Sequence, residues 1–407
     1  MNCRNGCKSP ITELWNLGPA PYGDLFSPTI DAAKKNNLYP FRLGSCSQCG
    51  LLQLCDKTDL RKQYDDYLYL TQVTNNLVDF YSQICERLIT EYKLTTTDFI
   101  LDIGGNDGSF LSNFRKHGFS KLLSVDPAKS AQIESEKKKI AVFREYFDSS
   151  SVNKILMNFG RPRLISINYT FANIENLAEF CDNLYNLMDL NTLVSICTGY
   201  HPDQFSIGMF DYIGHDHLTY LTLADFEYLA KIFSLVIVAA SRHEHKGGSL
   251  QVVLAKKESQ YKEGHAVRQL RQREFFMGIK DKKYIEGFKA QVNKNRRIAK
   301  QKLLKVREKK NVIAIGASIS TTYLTNYFGL GKFYTSLLDD DRQKIGKFSP
   351  YFAKRVYPLE SILQFANSDV LILAWQHTFK LLERLKELKF KGKVHLILPK
   401  YQGFKLD

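Results

Sequence analysis

Five short apolar runs between residues 99 and 238 constrain this chain more than any other feature. They are Phe99-Ile100-Leu101-Asp102-Ile103, Leu122-Leu123-Ser124-Val125-Asp126, Leu164-Ile165-Ser166-Ile167, Leu193-Val194-Ser195-Ile196 and Leu235-Val236-Ile237-Val238, with helical patterns between them. Strands that alternate with helices predict a mostly parallel, doubly wound sheet. A second set follows at Asn311-Val312-Ile313-Ala314-Ile315, Tyr334-Thr335-Ser336-Leu337-Leu338, Val370-Leu371-Ile372-Leu373 and Val394-His395-Leu396-Ile397, which predicts a further α/β unit over 311–407. Residues 1–74 are different, rich in Cys, Gly and Pro with short apolar runs, and read as a small metal-stapled module. The central α/β unit then covers 75–255, and 256–310 is a basic helical connection.

The 407 residues suffice for two to four domains with cores of their own. No apolar run approaches the roughly 20 residues that span a bilayer, and Met1-Asn2-Cys3-Arg4 does not open a signal peptide. A cytoplasmic protein without membrane contact is expected. The net charge of +15 resembles a nucleic-acid signature until it is located. Residues 256–310 hold 19 Lys+Arg against 6 Asp+Glu, so the rest of the chain is nearly neutral. Val292, Ile298, Leu303, Leu304 and Val306 are spaced for one buried stripe on a helix. The segment reads as a solvated helix bridging two domains, or as an electrostatic collar for a phosphorylated substrate or nucleic acid. No RNA-binding module is recognisable, so nucleic acid is not the expected partner.

Cysteines form two close pairs, Cys3-x3-Cys7 and Cys46-x2-Cys49. Brought together, two such pairs make the tetrahedral thiolate cage of a structural zinc site, with no open position for catalysis. Gly6 and Gly50 suit the tight turns this needs, although the 38 residues between the pairs exceed the gap of a compact zinc ribbon. Four unrelated buried thiols are the alternative. Cys55, Cys85, Cys181 and Cys197 read as small core residues.

The strongest single motif runs Asp102-Ile103-Gly104-Gly105-Asn106-Asp107-Gly108, directly after a strand and opening a helix. Its glycines permit positive φ and let a ligand approach the backbone. Asp126, 24 residues after Asp102, ends the next strand, where a carboxylate accepts hydrogen bonds from ribose hydroxyls. The turn is not G-x-G-x-x-G, and no phosphate-binding Lys-Ser/Thr follows. An acidic residue ahead of the turn suits a cationic amino-acid end, such as that of S-adenosylmethionine, better than a pyrophosphate. A structural turn in an unrelated α/β fold is the alternative. Five of nine histidines fall within 45 residues, around Phe210-Asp211-Tyr212-Ile213-Gly214-His215-Asp216-His217. A histidine there, oriented by Asp216, can remove a proton at neutral pH.

Together these residues resemble the zinc-binding, S-adenosylmethionine-dependent sugar C-methyltransferases that act on nucleotide-linked 4-keto-6-deoxysugars. The resemblance spans nearly the whole chain. It takes in the cysteine pairs, Leu17-Gly18-Pro19, Tyr67-Leu68-Tyr69, Gly105-Asn106-Asp107-Gly108, His215-Asp216-His217 and Gly247-Gly248-Ser249-Leu250. In the last unit it takes in Asn326-Tyr327-Phe328-Gly329, Asp339, Lys344-x-Gly346-Lys347 and Trp375.

The resemblance implies a central class I (Rossmann-like) methyltransferase domain flanked by the zinc module and a second Rossmann-like domain. It implies methyl transfer to C3 of the sugar through an enolate, in deoxysugar biosynthesis. Within it, His217 is the base, with Asp216 and His215 beside it and Tyr67, Tyr69 and Asn173 near the sugar. Asp102, Gly104, Gly105, Asn106, Asp107, Gly108 and Asp126 would hold the cofactor. Cys3, Cys7, Cys46 and Cys49 would hold zinc, and Asn326, Tyr327, Asp339, Lys344 and Trp375 the nucleotide sugar. A monomer is expected. The chain departs from the family at Gly214, where tyrosine is usual, at Asp216 for glutamate, at Asn173 for histidine, and at Ser320 where a lysine-glycine turn is expected. An O- or N-methyltransferase, or a non-catalytic cofactor-binding homologue, are the alternatives.

Overall fold

A computed structural model describes residues 3–57, 70–73, 75–365 and 367–406. Near the N-terminus, strands β1 (Ile11–Asn16), β2 (Arg42–Cys46) and β3 (Leu52–Leu54) pair antiparallel. The central sheet begins with β4 (Ile100–Ile103), β5 (Leu122–Val125), β6 (Ala141–Phe143), β7 (Leu164–Asn168) and β8 (Leu193–Gly199). The chain then returns to the N-terminal sheet as β9 (Thr219–Tyr220), which pairs with β3. Strands β10 (Leu235–His243) and β11 (Ser249–Lys256) complete the central sheet.

That sheet has the order β10-β11-β8-β7-β4-β5-β6, parallel except for β11. This is the class I S-adenosylmethionine methyltransferase arrangement. The chain order reverses between β4 and β7, so a crevice opens at the carboxyl ends of these two strands, where ligands of such sheets collect. Both faces are covered, as buried parallel strands require. Ile100, Leu122, Leu164 and Leu193 pack against the helices Asn75–Tyr92 and Ser109–Lys116. Their neighbours Leu101, Leu123, Ile165 and Val194 face the opposite layer, which includes Leu177–Leu187 and Leu223–Ile232. The period of two in these runs decides which residue faces which layer. Cys85, Cys181 and Cys197 are buried here as core residues.

The third sheet comprises β12 (Val312–Ile315), β13 (Leu337–Leu338), β14 (Val356–Tyr357), β15 (Asp369–Ile372), β16 (Lys393–Leu396) and β17 (Gln402–Lys405). Its order is β14-β13-β12-β15-β16-β17, parallel except for β17. The run predicted at 334–338 yields only two strand residues, because Tyr334 turns its ring into the core and its hydroxyl lies 3.3 Å from Thr325 Oγ1.

The N-terminal module does not have a private core. Trp15, Leu17, Phe41 and Leu43 share one apolar cluster with Val312, Ala314, Tyr327 and Leu371 of the last unit and with Phe288 and Val292 of the basic segment. The helix Lys282–Arg307 binds these parts together: Asn295 Nδ2 donates to the Ile397 carbonyl at 2.7 Å and Lys289 Nζ to the Leu14 carbonyl at 3.0 Å. Its buried stripe is Ile285, Phe288, Val292, Asn295, Ala299 and Leu303. Leu304, predicted on that stripe, is 51% exposed, and Ile298 and Val306 are only partly buried. One step along a helix turns a side chain by about 100°, so Leu303 and Leu304 cannot face the same side. Among the described residues no helix is long and apolar enough to cross a membrane.

Candidate active site

A cleft of about 1500 Å³ opens at the carboxyl ends of β4 and β7 and extends to the last unit. Its central wall is the glycine turn. Gly104 has φ +69°, and a Cβ there would collide with the Thr170 side chain; a Cβ on Gly105 would collide with Ser124 Oγ. The backbone is therefore bare where the cleft meets it. Asp126 accepts N–H bonds from Asn106 and Ala128, both at 2.9 Å, and so ties the turn to the end of β5. Asp102 is buried beneath the turn and accepts from Ser166 Oγ at 2.6 Å. Burial raises its carboxyl to about 7, helped by the neighbouring charge of Asp126.

Asp102, Gly104, Gly105, Asn106 and Asp126 all line the cleft, whereas Asp107 and Gly108 do not. Asp107 is fully buried, accepting from the backbone of Ser109 at 3.0 Å and of Gln72 at 2.7 Å. It fixes the helix start and the segment before Asn75. Gly108, at φ +71°, is the left-handed residue that lets the chain enter that helix.

His217 and Asp216 also line the cleft. His217 Nδ1 lies 3.0 Å from the Tyr212 carbonyl, and its ring stacks on Tyr212 at 4.1 Å between centroids. A carbonyl carries no proton, so Nδ1 carries it in the neutral ring, and Nε2 is left as the acceptor. Asp216 Oδ2 stands 3.8 Å from the same Nδ1, and its Oδ1 has no hydrogen-bond partner among the described residues. Gly199 is what admits Tyr212, whose hydroxyl fills the place of a Cβ. Gly214 likewise has no room for one: Asp216 Oδ1 would lie 2.5 Å away and Tyr323 Cε2 2.7 Å away.

His215 points away from the cleft. It is buried among Tyr22, Tyr39, Phe41 and Tyr323, with Nε2 3.0 Å from the Pro40 carbonyl, and burial lowers its pKa. Asn173 lines the cleft, and its buried Oδ1 has no partner among the described residues. Tyr67 and Tyr69 lie outside the described residues.

The last unit contributes Ala317–Ser320 and the loop Asp339–Lys344. Asp339 accepts from the backbone of Ala317 at 2.6 Å and of Asp341 at 2.9 Å. Lys344 pairs with Asp24 of the N-terminal module at 3.0 Å and with Asp341 at 3.4 Å. Asn326, Tyr327 and Trp375 do not line the cleft and instead join domains. Asn326 Nδ2 donates to the Pro19 carbonyl at 3.0 Å. Tyr327 receives the Trp15 indole N–H at 3.0 Å and donates to Asn293 at 2.7 Å. Trp375 donates to both oxygens of Asp211 at 3.0 Å, and burial raises that carboxyl to about 6.

Three of the cleft residues that escaped the sequence reading stand out. Asn168, at the end of β7, is buried with neither side-chain polar atom partnered among the described residues. Tyr169, at φ +55°, follows it, its hydroxyl 2.8 Å from Ser249 Oγ. Lys246 lies with its ammonium 3.9 Å from the centre of the Tyr169 ring. A polar residue closing a parallel strand, and a lysine ahead of Gly247-Gly248, were the available signals.

The two orphaned atoms of Asn168, the bare turn and the buried Asp102 fit a ligand that brings its own donors, acceptors and positive charge. At the N-terminus, Cys3, Cys7, Cys46 and Cys49 place their sulfurs within 4.8 Å of one another. Gly6 N–H closes a turn on the Cys3 carbonyl at 3.0 Å and Gly50 N–H on the Cys46 carbonyl at 2.9 Å. Gln53 Nε2 lies 3.3 Å from Cys3 Sγ, and the Tyr228 hydroxyl 3.0 Å from Cys7 Sγ. Four soft donors with outer hydrogen bonds fit one tetrahedral ion.

Comparison with known proteins agrees with this layout. Residues 76–238 match the family described as "Methyltransferase domain", and residues 244–399 match "C-methyltransferase C-terminal domain". The chain is an S-adenosylmethionine-dependent C-methyltransferase. This C-methyltransferase is 22% identical to C-methyltransferase NovU of Streptomyces niveus over 383 residues, 93% of this chain and 91% of that one. Among solved structures it is similar to an S-adenosylmethionine-dependent methyltransferase of Clostridium acetobutylicum ATCC 824 (14% identity, TM-score 0.35), covering 44% of this chain and 92% of that chain. It is also similar to magnesium protoporphyrin IX methyltransferase ChlM of Synechocystis PCC 6803 with bound SAH (13% identity, TM-score 0.35), covering 49% and 89%.

Proposed function

We propose that this methyltransferase methylates the carbon beside the ketone, C3, of a nucleotide-linked 4-keto-6-deoxysugar, with His217 as the base. One observation carries the reading: His217 is held through Nδ1, with no hydrogen bond to Nε2 among the described residues, on the wall of the same cleft that the glycine turn lines. The adjacent carbonyl acidifies the C3–H bond. His217 Nε2 takes that proton, and the bond's electron pair passes into an enolate with its charge on the C4 oxygen. The imidazolium so formed sits between the Tyr212 carbonyl and Asp216, both of which favour its charge. Bound S-adenosylmethionine supplies an electrophilic methyl on sulfur, a good leaving group. The nucleophilic carbon takes the methyl, the ketone re-forms, and the proton on His217 passes to solvent.

The long reach of the cleft to Asp339 and Lys344 supports a substrate with a second, nucleotide end. Asp102 would face the cofactor's cationic amino-acid end and Asp126 its ribose. Zinc in the four-cysteine cage would be structural, consistent with a reducing cytoplasm. The test is product analysis with S-adenosylmethionine and a panel of nucleotide-linked 4-ketosugars, locating the new methyl by carbon NMR. A methyl on C3 supports the reading, and a methyl on oxygen or nitrogen refutes it.

A further inference from the structure

Among the described residues, four lysine or arginine side chains line the cleft: Lys246, Arg342, Lys344 and Lys347. Lys344 is paired with Asp24 and Asp341, and Arg342 and Lys347 share its loop region in the last unit. Lys246 is the one that comes from the central sheet, at the β10–β11 hairpin. Among the described residues no carboxylate stands within ion-pair distance of its ammonium; its close neighbour is the face of Tyr169. Tyr169 adjoins Thr170, whose side chain lies against Gly104 of the glycine turn. Asp216, next to His217, is near enough for its charge to act on Lys246.

The backbone holds the lysine there against its preference. Lys246 has φ +52° and is followed by Gly247 at φ +75° and Gly248 at φ +138°. A Cβ on Gly247 would collide with Met209, and one on Gly248 would lie 2.6 Å from Asp203 Cβ. Gln204 Nε2 donates to the Lys246 carbonyl at 3.2 Å. Glycine or asparagine would suit this left-handed position better. An L side chain kept in such a conformation at a cleft points to use of the side chain. A partly desolvated cation without a carboxylate is also unfavourable until an anion arrives.

We propose that Lys246 is a second catalytic group, whose ammonium donates to the C4 oxygen of the sugar as that oxygen becomes negative. This rests on the enolate reading above. His217 takes the proton from carbon, and Lys246 stays protonated throughout, meeting charge that exists only after the proton has moved. Such preorganised donors stabilise the transition state more than the ground state. Desolvation brings the lysine down to about 8, while Cys197 and Asp216 work to keep it charged. The other titratable groups around it are Tyr169 and His245.

The test follows solvent deuterium entering thymidine-diphospho-4-keto-6-deoxyglucose by mass spectrometry, without cofactor, for the full-length wild type, Lys246→Met and Lys246→Arg. The expected result is an exchange rate about 100-fold or more lower in Lys246→Met, partial recovery in Lys246→Arg, and unchanged S-adenosylmethionine affinity. The wild-type rate falls above about pH 8, and this limb disappears in Lys246→Arg, which a purely structural lysine would not produce. Should Lys246→Met fail to fold, that pH limb decides alone. Exchange by folded Lys246→Met near the wild-type rate overturns the proposal and leaves the enolate reading standing. Lost cofactor affinity with exchange intact assigns Lys246 to the cofactor carboxylate, and also overturns it. No exchange by the wild type removes both.

Discussion

Gly104→Ala tests whether the turn after β4 is the cofactor cradle. A left-handed conformation costs an L residue roughly 1–2 kcal/mol, and Gly104 has φ +69°. The new methyl would also collide with Thr170 Oγ1 and lie 2.6 Å from Cγ2 and 2.8 Å from Cβ of that side chain. Because the obstructing atoms include Cβ, no rotamer of Thr170 clears them, and overpacking of this kind costs about 1–3 kcal/mol. The combined cost is roughly 2–5 kcal/mol, and about 2 kcal/mol felt at the cleft alone lowers affinity about 30-fold. Calorimetric titration with S-adenosylmethionine, beside thermal melting, measures both effects. Thr170→Ala in the same chain leaves the contact with Cβ and should rescue little, whereas Thr170→Gly removes all three contacts and should recover the packing part. Gly18→Ala is the control: its φ is +76° but a Cβ would meet nothing within 4 Å. Its affinity should stay unchanged. Gly104→Ala with wild-type affinity and melting temperature would refute the assignment of this turn.

Three further predictions concern charge, metal and domain contacts. Asp102 titrates near 7 in the folded protein against an ordinary 3.8, so its contribution to the stability of the ligand-free protein is present at acid pH and is lost as pH rises through about 7. If its anion meets the cofactor's cationic end, S-adenosylmethionine affinity measured by calorimetry rises over the same interval, and Asp102→Asn flattens the rise. A chelator should release one zinc per chain, read by a colorimetric dye, and lower the melting temperature. Cys49→Ser should bind metal more weakly and melt lower even without the chelator. Trp375→Phe removes the indole donor from the buried Asp211 carboxylate, a loss of about 1–3 kcal/mol in denaturant melts.

Strand runs buried on both faces were legible, because apolar residues dominate them; the cores of β4, β5, β7 and β8 follow the sequence runs closely. The strand β6 begins with an exposed Ala141, and β11 contains Gln251 and ends in Lys256, so neither offered a continuous apolar run. Pairing of Thr219–Tyr220 with β3 is a long-range event that two residues cannot announce. At the site, residue types were easier to read than their directions. His215 and His217 are two apart, yet one enters an aromatic box and the other the cleft. Asn326, Tyr327 and Trp375 are polar or aromatic residues near the cleft whose donors are committed to Pro19, Asn293 and Asp211. Lys246 was hidden because its position depends on left-handed backbone at a hairpin, which composition does not reveal.

The claim that His217 makes a carbanion for methylation is tested most directly by His217→Asn in deuterated water, with the same 4-ketosugar and no cofactor. The account predicts that deuterium incorporation and methyl transfer both fall by about 100- to 10,000-fold, while S-adenosylmethionine affinity is unchanged. Methyl transfer by His217→Asn at the wild-type rate would contradict it.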